Sequence, residues 1–192
     1  LAAETHQEEG CLIHNATGRR VAAVMPVYTL GMPADMDSIV RIAKDYDLPV
    51  IADGAAALGA TYKEYSSGKL GADLTVYSFN GNKTITAGGG GAVVGEDANL
   101  LKLVRHLSNT AKVGEAYHHD RVGFNYRMTN IAAAVGCAQV ERLAEFVAIK
   151  RKTQKKYNEA LNTLPEVGIF PQSDWAEGAC WLSGIIMPNV ES

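Results

Sequence analysis

Between Arg20 and Asp53 the chain reads as apolar run, amphipathic helix, apolar run, and this pattern restricts the fold more than any other feature. Arg20 to Tyr28 is apolar with Pro26 near its end and predicts a buried strand. Gly31-Met32-Pro33 breaks it. Asp35 is a good helix N-cap and Asp37 suits a first turn; Met36, Ile39, Val40, Ala43 and Tyr46 then recur at helical spacing, so a helix is expected over Met36 to Asp45. Leu48 to Ala52 is a second apolar strand, ending in Asp53. Strand, helix, strand in this register is a βαβ unit, which implies a parallel sheet with right-handed crossovers.

The stretch Leu74 to Gly91 extends that sheet. Leu74 to Phe79 is β-branched and aromatic, a third strand; Asn80-Gly81-Asn82 turns the chain, Lys83 follows at once, and Gly88 to Gly91 are four consecutive glycines. Ligands of parallel sheets bind beyond the carboxyl ends of the strands. Asp53 and Lys83 each follow a strand and are expected on that one edge. A lysine there, partly desolvated, is a usable nucleophile toward a carbonyl. The plain alternatives stand beside this: a loop lysine is commonly just solvated, and an acid at a strand end is commonly a turn former or cap.

After the glycines, Ala92-Val93-Val94 predicts a short strand paired near Ser78 and Phe79, and Asp97 to Ser108 a helix burying Leu100, Leu101, Val104 and Leu107. Ala55 to Ala57 reads as a small-residue turn, and Tyr62 to Gly71 as a hairpin or loop. Leu1 to Arg20 and Asn109 to Tyr126 read as irregular. The latter contains His118-His119-Asp120, where hydrogen bonding or an interface is favoured over a metal, since adjacent loop residues rarely share one ion. Thr129 is an N-cap, with Met128 placed as a staple. Ile131 to about Leu161 is one long helical pattern, apolar and small at first, charged on one face later, which suits a connector. Pro165 and Gly168 end it. Trp181 to Met187 is strand-like.

Composition excludes some classes. A net charge of -3 offers nothing that would draw nucleic acid or an anionic membrane. No run has the length and apolarity of a transmembrane span. The three cysteines, Cys11, Cys137 and Cys180, lack metal-ligand or redox-motif spacing, so a reduced, cytoplasmic setting is expected. The chain starts at Leu1 and stops at Ser192 straight after an apolar run, and is read as a piece of a longer protein.

The set Asp53, Ser78, Lys83, the glycine run and Gly123-Phe124-Asn125-Tyr126-Arg127-Met128 resembles the DegT/DnrJ/StrS family of pyridoxal-phosphate-dependent sugar-nucleotide aminotransferases. Ala16-Thr17-Gly18-Arg19-Arg20 and Ser78 to Lys83, with Asn80 and Asn82, make it most similar to the LegC-like branch. The resemblance implies an α/β fold of the aspartate aminotransferase-like type I, a mostly parallel sheet sandwiched by helices, present here as a partial chain. It divides the chain into part of a large cofactor domain (1–130), a connecting helix (131–164) and the start of a small C-terminal domain (165–192).

The same resemblance implies roles. Lys83 forms a Schiff base with pyridoxal 5'-phosphate and later moves a proton; Asp53 pairs with the pyridinium nitrogen; Ser78 donates to the cofactor phosphate; Asn125 reaches the phosphate of the neighbouring subunit in a homodimer with shared sites. Three residues after the aspartate the family usually has Gln, His or Glu near the cofactor's ring oxygen; here Ala56 stands in that cofactor-lining position and offers no polar group. The implied substrates are a nucleotide-linked 4-keto-6-deoxy sugar and L-glutamate, the product a 4-amino sugar for bacterial surface polysaccharide. Alternatives are a pyridoxal-phosphate sugar dehydratase, against which the presence of Lys83 argues, and a non-catalytic sugar-nucleotide-binding or regulatory protein on the same scaffold. A dinucleotide-binding dehydrogenase is disfavoured, because the glycine run precedes a strand rather than a helix.

Overall fold

The computed structural model describes residues 1–115 and 117–188. The first twenty residues are not irregular as expected: β1 (Thr5–Glu8) and β2 (Cys11–His14) form an antiparallel hairpin, Thr5 opposite His14. Its turn, Glu9-Gly10, takes positive φ at both residues (48° and 77°), the twist a two-residue hairpin needs. Glu-Gly is a weaker turn signal than Asn-Gly, which is why the polar sequence concealed the hairpin.

The segment 20–28 differs from the expected buried strand. It is extended and bonds in parallel to the next strand region at only two points, Val24 to Val50 and Val27 to Asp53. Pro26 contributes no N–H, and its carbonyl accepts from Asp53 N at 2.8 Å. Pro26 and Tyr28 point inward, whereas Met25 and Val27 are exposed.

α1 (Met36–Asp45) has the expected limits, and the Asp35 carboxylate accepts from Ser38 N at 3.3 Å as its cap. β3 (Ile51–Asp53) follows, then the hairpin of β4 (Thr61–Tyr62) and β5 (Tyr65–Ser66). β6 (Leu74–Ser78) runs parallel to β3 with Asp53 opposite Val76, and β7 (Gly91–Val94) returns antiparallel with Ser78 opposite Gly91. Two threads of parallel chain therefore feed the same edge that β7 leaves. α2 (Ala98–Ser108) starts at Asp97, whose carboxylate accepts from Asn99 N (2.7 Å) and Leu100 N (3.2 Å). Its expected buried side is only half-buried. Within the stretch expected to be irregular, β8 (Lys112–Val113) and β9 (His118–His119) pair antiparallel.

The long helical pattern is two helices, α3 (Asn130–Val140), capped by Thr129, and α4 (Leu143–Leu161). The helix is interrupted by a turn at Glu141-Arg142, and the two halves have different neighbours. Gly136 of α3 approaches the Ala87 methyl, whereas Val147 of α4 fits against Gly59. Periodicity reports which face is apolar but not what lies opposite it.

β10 (Gly168–Ile169) pairs with β12 (Ile185–Ile186), and β11 (Ala176–Glu177) adds to β4. The expected strand over 181–187 is thus reduced to Ile185–Ile186. The core joins Tyr28, Met36, Val50, Ala52 and Tyr62 with Ala179 from this last segment. Tyr28 is 1 % exposed, and its hydroxyl has no hydrogen-bond partner among the described residues; burial, then the neighbouring Tyr77 and Tyr62, pushes its ionisation far above the ordinary phenol range.

Candidate active site

Parallel pairing brings Asp53 and Ser78 to one sheet edge. Both line an open cleft of about 960 Å³, floored by Val76, Gly91 and Val93 and walled by Leu101 and Val104 of α2 and by Tyr126, Arg127 and Met128. Asp53 ends β3: its backbone is tied to Pro26 and Tyr28, and its Oδ1 accepts from Ala55 N at 3.0 Å. That leaves the second carboxylate oxygen for a ligand. Ser78 ends β6, where its Oγ accepts from Asn80 N at 3.2 Å, so the hydroxyl proton remains free to donate.

The loop after Ser78 is held by its own hydrogen bonds. Phe79 N donates to Gly90 O (3.0 Å), Ala87 N to Phe79 O (2.9 Å) and Lys83 N to Asn80 O (3.1 Å), while Thr86 N donates to Gln139 Oε1 of α3 (3.4 Å). Gly91 is required by close approach, since a Cβ there would lie 2.2 Å from Tyr77 O. The glycine run is therefore partly a structural need of the β6–β7 pair.

Lys83 is half-buried and does not line the cleft; its Nζ sits 3.7 Å from the ring centroid of Trp181. Ala56 lies in the turn after Asp53, and its carbonyl packs beside Gly31. Asn125 is exposed and bridges to Asn109, with its neighbours Tyr126 and Arg127 on the cleft wall. Of the five residues singled out from sequence, Asp53 and Ser78 share the cleft; Lys83, Ala56 and Asn125 flank it. Tyr126 and Arg127 belong to the 123–128 run but carry no role in the sequence reading; Arg105 looks like an ordinary helix cation until α2 is laid on the sheet. Trp181, read from sequence only as the start of a strand-like run, is far from Lys83 along the chain yet lies against it in space.

His118-His119-Asp120 is a hydrogen-bonding feature here. Asp120 Oδ1 lies 2.7 Å from His106 Nε2, and His119 Nδ1 lies 2.7 Å from Thr110 O. Among the described residues, no group of three or more His, Cys, Asp or Glu side chains is placed to hold a metal ion. No helix among the described residues is long and apolar enough to cross a membrane.

An acid and a hydroxyl ending neighbouring parallel strands, with a lysine on the loop that leaves the second, form a candidate ligand-binding site at the sheet edge of an α/β fold. The chain belongs to the DegT/DnrJ/EryC1/StrS aminotransferase family, whose model matches residues 2–191. It is 41 % identical over 189 residues to the GDP-perosamine synthase of Escherichia coli O157:H7, covering 98 % of this chain and 51 % of that protein. With the GDP-perosamine synthase of Caulobacter vibrioides it shares 43 % identity over 146 residues, 76 % of this chain and 39 % of the relative. The chain thus spans about half the length, or less, of the curated relatives it matches.

Among solved structures it is similar to DesV of S. venezuelae (TM-score 0.83, 27 % identity, 88 % of this chain and 46 % of that one) and to 3-amino-5-hydroxybenzoic acid synthase (TM-score 0.81, 28 % identity, 88 % and 45 %). The fold is that of the type I pyridoxal-phosphate-dependent transferases, as a partial chain.

The donor set suits that cofactor. A strand-end carboxylate with one free oxygen matches a ring nitrogen, and a hydroxyl with a free proton beside an exposed glycine turn matches a phosphate. Lys83 lies five positions along the loop from Ser78, within the same hydrogen-bonded turn.

Proposed function

We propose that the parent protein is an aminotransferase that converts a nucleotide-linked 4-keto-6-deoxy sugar into its 4-amino sugar, with L-glutamate as amino donor. The observation that carries this reading is the placement of Asp53 and Ser78 at the ends of neighbouring parallel strands in one cleft, with Lys83 on the loop between Ser78 and the glycines. Relatives named GDP-perosamine synthase favour a guanosine diphosphate carrier for the sugar.

Pyridoxal phosphate supplies a reactive carbonyl and a ring that accepts electrons. The Asp53 carboxylate would hold the ring nitrogen and would favour its charged form. Ser78 donates to the phosphate, and Arg105 and Arg127 lend positive charge to the same cleft. Lys83 would hold the cofactor through its amine and would supply the group that carries a proton at the sugar carbon. Ala56 leaves the ring oxygen without a side-chain partner, a place for water. Asn125 serves the phosphate of the partner subunit in a homodimer. Residues 1–130 belong to the cofactor domain, 131–164 connect, and 165–192 open the small domain; of these, 116 and 189–192 lie outside the described residues. We place the enzyme in the cytoplasm.

Borohydride trapping tests the reading. The full-length parent is incubated with pyridoxal phosphate, reduced and digested, and the peptide holding Lys83 is weighed by mass spectrometry. A phosphopyridoxyl group on Lys83, absent from Lys83→Ala together with its transamination, is the expected result. An unlabelled Lys83 in the full-length protein would sink the aminotransferase reading and put the non-catalytic binding protein in its place.

A further inference from the structure

Trp181 meets the Lys83 loop twice. Its indole N–H donates to the Asn82 carbonyl at 2.7 Å, and its ring carries the Lys83 ammonium 3.7 Å from the centroid. Neither contact is made by a freely swinging side chain. The backbone leading into Trp181 is pinned on each side of Cys180 to the loop after Tyr28: Ala179 N donates to Gly31 O at 2.9 Å, and Trp181 N to Leu30 O at 3.1 Å. Two non-glycine residues in this clasp, Leu30 and Cys180, take left-handed backbone angles (φ 53° and 51°). Such conformations persist only where the surroundings over-determine them, and they gather at sites whose side chains must be aimed. Here the residue aimed by Cys180 is Trp181. The Cys180 thiol itself is half-buried, and burial pushes its pKa up, keeping it protonated.

We propose that Trp181 is a positioning residue for Lys83: its indole N–H anchors the Asn82-Lys83 turn, and its ring face holds the Lys83 ammonium at a resting place outside the cleft lined by Asp53 and Ser78. An aromatic face attracts the charged amine and has no comparable hold on the neutral one. The same ring that fixes where Lys83 waits therefore releases it once the ammonium of this half-exposed side chain has passed its proton to water, so that the amine enters the cleft in its nucleophilic form. The catalytic meaning of this device rests on the reading of Lys83 as the reactive amine; the pairing itself does not.

The test uses the cofactor-free full-length protein and trace acetic anhydride near neutral pH, reading by mass spectrometry the acetylation of Lys83 relative to Lys102, an exposed lysine on α2. In Trp181→Leu the Lys83 to Lys102 ratio rises roughly 2- to 30-fold, the range a cation–π contact spans. Trp181→Phe, which keeps a ring and loses the indole donor, restores the ratio to within about 3-fold of wild type. A ratio in Trp181→Leu equal to wild type overturns the proposal. Should that variant fail to fold, the wild-type protein decides, because Lys83 must acetylate more slowly than Lys102; equal rates overturn it.

Borohydride trapping separates this outcome from that of the functional reading. Trp181-dependent acetylation with no phosphopyridoxyl label on Lys83 removes the aminotransferase and leaves the pairing. A labelled Lys83 whose acetylation ignores Trp181 does the reverse.

Discussion

Arg151 of α4 donates from Nε to the Gly178 carbonyl at 2.9 Å, tying the last helix to the segment that carries Trp181. The same guanidinium reaches Gly59 O (3.2 Å) and Glu177 O (3.4 Å) and pairs with Glu177 Oε2 at 3.0 Å. One planar cation thus joins the turn after Asp53, the β11 addition and the Trp181 clasp. Hydrogen bonds from a charged donor contribute about 1.5–3 kcal/mol each where water is excluded, and exposed ion pairs much less. Arg151→Ala is expected to lower the unfolding free energy of the full-length protein by about 2–4 kcal/mol, read from urea denaturation. Arg151→Lys recovers only a minor part, because an ammonium lacks the fork that spans three carbonyls. A loss under about 0.5 kcal/mol would show that this junction does not carry the segment.

Gly31 leaves no room for a side chain. Its φ is +93°, and a Cβ would stand 2.7 Å from the Ala56 carbonyl. Gly31→Ala is expected to destabilise by about 1–3 kcal/mol through left-handed strain, with the clash added. It also displaces the turn that carries Ala55 N, the donor to Asp53. Denaturation midpoints measure the first effect, and retention of cofactor through dialysis the second.

Asp120 reports on acid stability. The hydrogen bond from His106 lowers its carboxyl below the ordinary value of 3.8, with smaller help from the charges of His106 and Arg121. A carboxyl depressed in the folded state stabilises above its unfolded value and loses that contribution as pH falls through the folded one. The stability gap between wild type and Asp120→Asn is therefore expected at neutral pH and closes below about pH 4. Denaturation curves of the two proteins across that range check it; a gap that persists undiminished well below pH 4 contradicts the pairing.

Asn125 is exposed beside the cleft wall, where a partner subunit would bring it to a second site. Asn125→Ala is expected to weaken cofactor retention roughly 10-fold, the scale of one hydrogen bond to a charged group. Unchanged affinity in a protein confirmed as a dimer by sedimentation would remove Asn125 from the site.

Local chemistry made much of this protein legible before any fold was drawn. Asp35 and Asp97 cap helices because a carboxylate at that position satisfies free N–H groups, and the α1 limits follow from the cap and from the apolar stripe behind it. The β6 strand, its turn at Asn80-Gly81-Asn82 and the return through β7 follow from alternation and turn residues in the same way. Asp53 was recognisable as a strand end and Ser78 as lying at the end of the next strand, which the structure closes one residue before the expected Phe79; parallel pairing carries both to one edge.

What neighbours across space decide was not written locally. The pattern from Ile131 to Leu161 records one apolar face, yet it folds as two helices, the first meeting Ala87 and the second Gly59. Pro26 is one missing donor, but only its place beside Asp53 turns a strand into an edge held at two points. Lys83 could be named from its loop; where its ammonium rests is set by Trp181, which arrives from the far end of the chain. Periodicity and capping act over a few residues and so survive in the sequence, whereas the partner of a buried or charged group is chosen by the packing of distant segments.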